Sequence, residues 1–369
     1  LTTDIGSTDI NINKVGKAVK ANVVAENINL QKLTSSNDLG LFSGKIVADC
    51  LLEGTKIHSA KGNANIKSFA FKNHNYHDAT ITGDYLASRG LTADIKFIDE
   101  DCTANINAKY NLSSKTPSGS INGTIEKFAP YELGLIKKWE GCTFAGNITG
   151  SFAGSNINNL EGELSLTDFT MASADDTYRL SQLEVTKKVD KGRQEVRLKS
   201  DFATLLAEGE FNFTNIANSI TNAIYPRLPT IPGLVQKNGV DNKINVYATI
   251  NKSDWAEKLL GVNLRLNEPV HLVANIDDSN HNVNISLDAE DFNYNGSNYK
   301  NGFLFITCPN DTMRATANAM THSNKSSATY TLRAQAVDNH LTTNLVFHSD
   351  SKHVLKGEMN LAARIHENE

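Results

Sequence analysis

Apolar and polar residues alternate with a period of two along most of this chain. Between Thr103 and Asn111 every second residue is apolar, namely Ala104, Ile106, Ala108 and Tyr110. Successive side chains of a strand point to opposite sides of the sheet, so this run predicts a β-strand with one apolar and one polar face. The same alternation predicts strands at 46–52, 283–287, 312–319 and 330–336.

Helical signals are few and short. Amphipathic stretches predict helices at 31–39, 128–139, 215–225 and 253–260, and Pro226 closes the third of them. We expect such short helices to cover the ends of a sheet or to plug an opening in it. The proline-containing stretch 226–232 that follows the third helix is expected to form a loop, and a local interruption of the sheet is the alternative.

An internal repeat of about 100 residues organises these elements. The sequence 42–46 (FSGKI) parallels 144–148 (FAGNI), and 62–71 parallels 162–171. A hairpin with paired aromatic residues recurs as Phe69 with Tyr76, Phe169 with Tyr178, and Phe292 with Tyr299. The pattern predicts repeats at 1–120, 121–240 and 241–369. No Pro/Gly/Ser-rich linker separates them, so we expect one continuous elongated sheet.

The predicted fold is mainly β, an elongated, meandering, antiparallel or mixed sheet with a few short helices. A sheet with one apolar face must hide that face, either against a second sheet or by curling into a β-taco-like trough. A trough would give hydrocarbon chains a continuous apolar path from which water is excluded, here called the lane. Leaving a tail of about sixteen carbons in water costs on the order of 12 kcal/mol. Such a lane needs only apolar side chains.

The alternation also predicts which side chains line this lane. They are Ile46, Ala48, Leu52, Ile95, Phe97, Ala104, Ile106, Ala108, Ile148, Leu164, Leu166, Val196, Leu198, Phe211, Phe213, Val246, Ala248, Val283, Ile285, Leu287, Phe303, Phe305, Leu332 and Ala334. The expected ligands are phospholipid or other lipid tails.

The G-x-I-x-G strands, the repeat and the recurring aromatic hairpin resemble the TamB/AsmA-like family of envelope proteins, most closely the TamB type of Bacteroidota. The segments 21–54, 62–85 and 121–154 carry this resemblance. It implies a periplasmic bridge, anchored in the inner membrane by a segment outside this chain and reaching toward the outer membrane. It also implies phospholipid transport and a role in outer-membrane protein assembly, with an Omp85-type assembly protein as partner.

Charge and motifs argue against other classes of function. The formal net charge is -5, which is not the basic footprint of a nucleic-acid-binding protein. The sequence contains no Walker loop, dinucleotide fingerprint, zinc-protease helix or nucleophile elbow. We therefore expect no enzymatic activity, no cofactor and no metal. Strand-like sequence begins at Leu1, so we expect this chain to be a piece of a longer protein.

Two short clusters leave alternatives open. His74 and His77 lie three residues apart at a hairpin tip, and the run 99–101 holds three acidic residues. Each cluster has two interpretations. One is a metal-binding site, and the other is a set of exposed turn residues without a ligand. The four cysteines form no C-x-x-C pair, which favours small buried residues, and disulfides stay open.

Two competing functions follow from the same pattern. Packed sheets without a groove would make a structural or adhesive surface array. A carbohydrate-active or carbohydrate-binding β-protein would need clustered exposed aromatics and paired carboxylates. Aromatic residues make up only 7% of the chain, and no such carboxylate pair stands out.

Overall fold

A computed structural model describes residues 2–72, 74–111, 116–174, 176–257, 261–308, 311–323, 326–350 and 354–365. By its internal contacts the chain divides into two compact units. The first unit comprises residues 1–155 and 161–184, and the second comprises residues 156–160 and 185–369. The organisation into three repeats stays a prediction.

The first unit is a meander of strands in chain order. Their bounds are β1 (Thr2–Thr3), β2 (Gly6–Val15), β3 (Ala18–Asn29), β4 (Leu39–Glu53), β5 (Lys56–Phe71), β6 (His74–Leu86), β7 (Gly90–Ile98), β8 (Cys102–Asn111), β9 (Ser118–Phe128), β10 (Thr143–Ala153) and β11 (Glu161–Ala172). Each strand from β2 to β11 pairs antiparallel with the one before it. A further strand, β12 (Thr177–Asp190), begins in this unit and ends in the second.

The second unit continues the same architecture. Its strands are β13 (Arg193–Ser200), β14 (Ala203–Glu210), β15 (Lys243–Ile250), β16 (Leu264–Leu266), β17 (Val270–Asp277), β18 (Asn282–Tyr294), β19 (Ser297–Thr307), β20 (Met313–Ser323), β21 (Ser326–Val337), β22 (His340–Asp350) and β23 (Leu355–Arg364). Both β16 and β17 pair with β18, at its end and its start respectively. They are one strand interrupted at Pro269, which has no N–H for a ladder hydrogen bond.

The expected fold class, a mainly β antiparallel meander with a few short helices, is confirmed. Two of the recurring hairpins share an aromatic cross-strand pair: Phe69 faces Tyr76, and Phe292 faces Tyr299. Their ring centroids lie 6.3 and 5.2 Å apart. The curling of the sheet into a trough stays a prediction.

The helices are α1 (Leu30–Thr34), α2 (Ile216–Ile224) and a 3-10 turn (Asp278–Asn280). The second falls where the sequence predicts a helix at 215–225. The first covers only the start of the stretch predicted at 31–39, because Ser35 adopts a left-handed φ of 59° and β4 begins at Leu39. Residues 254–257 are also helical, and the rest of the stretch predicted at 253–260 lies outside the described residues. The helix predicted at 128–139 is wrong, because turns fill 130–135 after β9 ends at Phe128. Gly134 adopts a φ of 68°, which stops the helical path.

Two irregular segments cover ends of the apolar face, one in each unit. The first closure, residues 129–142, places Leu133 (1% exposed) against Cys102 and Ala104. Burial raises the pKa of the Cys102 thiol to about 11, with Asp99 contributing, so it is protonated at neutral pH. All four cysteines are free.

The second closure, residues 211–242, contains α2 and lies across one end of the strands of the second unit. The side-chain amide of Gln194, in β13, donates to the backbone carbonyl of Phe211. At the other side of the unit, the Thr230 hydroxyl is within hydrogen-bond distance of the Asn339 side chain and the Ile365 carbonyl. The stretch 226–232 is therefore a loop, as the sequence predicts.

Asp277, which precedes the 3-10 turn, gives a pH-dependent contribution to stability. Its carboxylate accepts hydrogen bonds from Ser279 (2.7 Å) and Asn280 (3.0 Å), and these lower its pKa to about 2. The stabilisation is present above the ordinary pKa of 3.8 and is lost as the pH falls through about 2. We expect Asp277→Asn to lower the unfolding free energy by about 1 kcal/mol at pH 7.

Urea unfolding between pH 7 and pH 2 measures this effect. The difference between Asp277→Asn and the parent should shrink from about pH 4 downward, because the carboxylate of the unfolded parent is protonated near 3.8 while that of the folded parent stays ionised until about pH 2. Asp288→Asn, at an exposed position of the same unit, is the control and should show no such trend. A constant difference across the range would contradict the assignment.

Candidate functional site

An unbroken apolar row crosses the first unit. Directly paired residues of antiparallel strands point to the same face of the sheet. The isoleucine row consists of one such residue from each strand from β2 to β11: Ile10, Val23, Ile46, Ala64, Ile81, Ile95, Ile106, Gly123, Ile148 and Leu166. At about 4.8 Å per strand, it extends for roughly 43 Å.

A row of smaller residues runs beside the isoleucine row on the same face. On β3 to β8 it consists only of alanine and glycine: Ala21, Ala48, Gly62, Gly83, Ala93 and Ala108. Beyond it lies a bulkier row that includes Tyr85, Leu91 and Tyr110. The small residues therefore form a low strip between two rows of larger side chains.

The opposite face of the first unit is polar. Its central row contains Asn63, Thr82, Asp94 and Asn107, paired across β5 to β8. The Asn107 amide donates to the Asp94 carboxylate at 2.6 Å, so neighbouring strands are also joined by side-chain hydrogen bonds. The side chains of this face interact favourably with water, whereas those of the isoleucine row do not.

The polar face carries a concavity of its own, with a volume of about 940 Å³. A cross-strand polar row contributes to its lining: Asp84, Thr92, Lys109, Ser120 and Ser151. Hydroxyl and charged groups favour polar ligands over hydrocarbon, although Leu91 and Tyr110 also belong to the lining of this concavity.

The second unit has an equivalent apolar row. The leucine row takes one residue from each of ten strands: Leu198, Leu205, Ala248, Leu272, Leu287, Leu304, Ala317, Leu332, Leu345 and Met359. Val196, Val246, Ile285 and Ala334 belong to the row beside it, on the same face.

Many side chains of these rows remain accessible. Ile46 is 41% exposed, Leu332 is 40% exposed and Met359 is 61% exposed. Most other members are half-buried. Contiguous apolar side chains that keep this much exposure mark surfaces that bind apolar partners.

The register places most of the predicted lining residues on these two apolar faces. In the first unit, Ile46, Ile95, Ile106, Ile148 and Leu166 are members of the isoleucine row, and Ala48, Ala108 and Leu164 belong to the adjacent row. Phe97 pairs with Ala104 on the same face. Leu52 lies close to the C-terminal end of β4.

Four predicted lining residues either belong to a closure or are buried in the core that a closure covers. Ala104 (2% exposed) packs under Leu133 in the first unit. Phe211 and Val283 are buried in the core around α2, and Phe213 packs against that core. They therefore form the ends of the apolar faces and are not part of the accessible rows.

Phe303 and Phe305 lie on the opposite face, so they do not line the leucine row. Phe305 pairs with Ser286 and Thr316, whereas Leu304 pairs with Leu287 and Ala317. The run from Phe303 to Ile306 is apolar at every position, so the sequence alone does not say which residues share a face with Leu287.

The structure also brings together residues that the sequence treats as two separate clusters. His74 lies beside Asp99 and Asp101, while the backbone N–H of His77 donates to Asp99 at 2.8 Å. Predicting this requires the pairing of β6 with β7, which places the start of β6 near the end of β7.

Among the described residues, no helix is long and apolar enough to cross a membrane. No protein-family model matches the chain, and no curated protein or solved structure matches it.

Proposed function

We propose that the apolar faces of the two units bind lipid acyl chains and let them pass from strand to strand without entering water. The observation that carries this proposal is the cross-strand continuity of the isoleucine and leucine rows. Each row takes a residue from ten successive paired positions, and members such as Ile46 and Leu332 remain about 40% exposed.

Length and energy both favour acyl chains as ligands. The isoleucine row extends for roughly 43 Å, whereas the acyl chains of one membrane leaflet span about 15 Å. Each methylene transferred from water to an apolar surface gains about 0.8 kcal/mol. A repeated apolar strip offers similar contacts at every strand, so a tail can move along it without crossing a large barrier.

The resemblance to TamB/AsmA-like proteins supplies the cellular setting of the proposal. In that setting the chain is a non-enzymatic segment of a periplasmic bridge whose full-length form is anchored in the inner membrane. It moves phospholipid between the inner and outer membranes and supports outer-membrane protein assembly together with an Omp85-type protein.

Lipid that co-purifies with the chain tests the proposal. We expect organic extraction of the purified protein, followed by mass spectrometry, to release acyl lipid at about one molecule or more per chain. The delipidated protein should then take up a fluorescent sixteen-carbon fatty acid. A structural or adhesive array with sealed sheets would release no lipid and take up no fatty acid, and this result would overturn the proposal.

A further inference from the structure

Three potential metal ligands converge at one end of the first unit. His74 begins β6, and Asp99 and Asp101 lie in the turn between β7 and β8. One ligand atom from each of the three lies within 4.8 Å of the others. The residues come from the start of β6 and from the turn between β7 and β8, so the fold brings them together.

His74 presents one ring nitrogen to the two carboxylates. Its Nδ1 lies 3.1 Å from the Glu132 carbonyl oxygen, which can only accept, so Nδ1 carries the proton. In the neutral ring, Nε2 then has a lone pair. This nitrogen is buried, makes no hydrogen bond, and faces Asp99 Oδ1 at 3.4 Å. Two electron-pair donors therefore face each other across this gap.

The Asp99 carboxylate is held in place and shielded from water. Its side chain is 1% exposed. The backbone N–H groups of His77 and Asp101 donate to its two oxygens at 2.8 and 2.9 Å. A buried carboxylate needs a compensating positive charge. The cationic side chain of Lys127 lies 3.5 Å from Asp101.

We propose that His74, Asp99 and Asp101 bind a divalent transition-metal ion, with Zn²⁺ as the representative. A tetrahedral ion about 2.05 Å from two ligands separates them by roughly 3.3 Å, close to the 3.4 Å between His74 Nε2 and Asp99 Oδ1. An imidazole ligand favours zinc-like ions over Ca²⁺ and Mg²⁺, which prefer oxygen ligands.

The surroundings of the three residues match those of a metal site. A ligating histidine almost always donates its other ring N–H to a carbonyl or carboxylate, as His74 does to Glu132. Glu132 belongs to the first closure, directly before Leu133. The ion would therefore connect the strand ends to the segment that covers this end of the apolar face, and solvent would complete its coordination.

Calorimetric titration with Zn²⁺ and the visible absorption of added Co²⁺ test the site on the full chain after chelator treatment. We expect one ion per chain and a Co²⁺ band that Zn²⁺ displaces. His74→Gln should weaken binding at least ten-fold. Asp101→Asn is the second variant, because the Asp101 side chain is 20% exposed and its loss should leave the fold intact.

His77→Gln is the matched control, since His77 is exposed and contributes only its backbone N–H to Asp99. This variant should bind Zn²⁺ as the parent does. Absence of Zn²⁺ binding by the parent would overturn the proposal and would assign the cluster to an ion pair between protonated His74 and Asp99. Equal binding by the parent, His74→Gln and Asp101→Asn would also overturn it.

Discussion

Replacing Ile46 with glutamate is expected to weaken acyl-chain binding about ten-fold, whereas replacing Val47 with glutamate leaves it unchanged. Ile46 belongs to the isoleucine row, between Val23 and Ala64. A carboxylate there removes the contact of about two methylenes, or roughly 1.6 kcal/mol, which corresponds to a factor of about ten or more in affinity.

Val47 is the matched control because it differs from Ile46 almost only in the face that it occupies. Both are β-branched, both lie in β4 and both are 41% exposed. Val47 pairs with Asn22 and Asn63 on the polar face. Their equal exposure means that a new charge should cost similar folding stability at either site.

Titration of the delipidated variants with a fluorescent sixteen-carbon fatty acid measures the difference, and circular dichroism confirms that both variants fold. Equal losses at the two positions would show that bound lipid does not discriminate between the faces. Loss at Val47 alone would assign the ligand to the polar face. Either result would contradict the proposed role of the isoleucine row.

The sequence predicts correctly which face of the sheet a side chain occupies where one side of the strand is clearly polar. Ile106 alternates with Asn105 and Asn107, and the structure places it on the apolar face beside Ile95. The prediction fails for Phe303 and Phe305, because the run from Phe303 to Ile306 is apolar on both faces. Only the pairing with β18 and β20 decides which side chains align.

Tertiary contacts explain the errors elsewhere. The amphipathic spacing at 128–139 favours a helix, but a Cβ at Gly134 would lie 2.5 Å from the Lys72 carbonyl oxygen. The chain there follows the end of the sheet and places Leu133 in the core. The cluster of His74 with Asp99 and Asp101 likewise depends on contacts between the start of β6 and the turn after β7, and periodicity contains no information about those contacts.

The two closures give the apolar faces defined ends. Phe211 and Val283 share the core around α2, so the apolar face of the second unit is sealed at that end of its strands. In the first unit, Leu133 packs in the corresponding way against Cys102 and Ala104. Apolar residues under a closure therefore contribute to stability.

Leu133→Ala is consequently expected to destabilise the protein by about 3 kcal/mol. Leu133 is 1% exposed and packs against Cys102 and Ala104. Its truncation leaves a cavity, and its backbone carbonyl accepts the Tyr76 hydroxyl at 3.2 Å, which limits how far the segment can relax to fill that cavity. Urea unfolding followed by circular dichroism measures the loss.

Leu135→Ala provides the control two residues further along the same segment. Leu135 is 39% exposed, so its truncation should cost less than about 1 kcal/mol. Similar losses for the two variants, or a loss below about 1 kcal/mol for Leu133→Ala, would show that the first closure does not anchor the end of the sheet. A large loss confined to Leu133→Ala would establish that one buried leucine holds this closure against the apolar face.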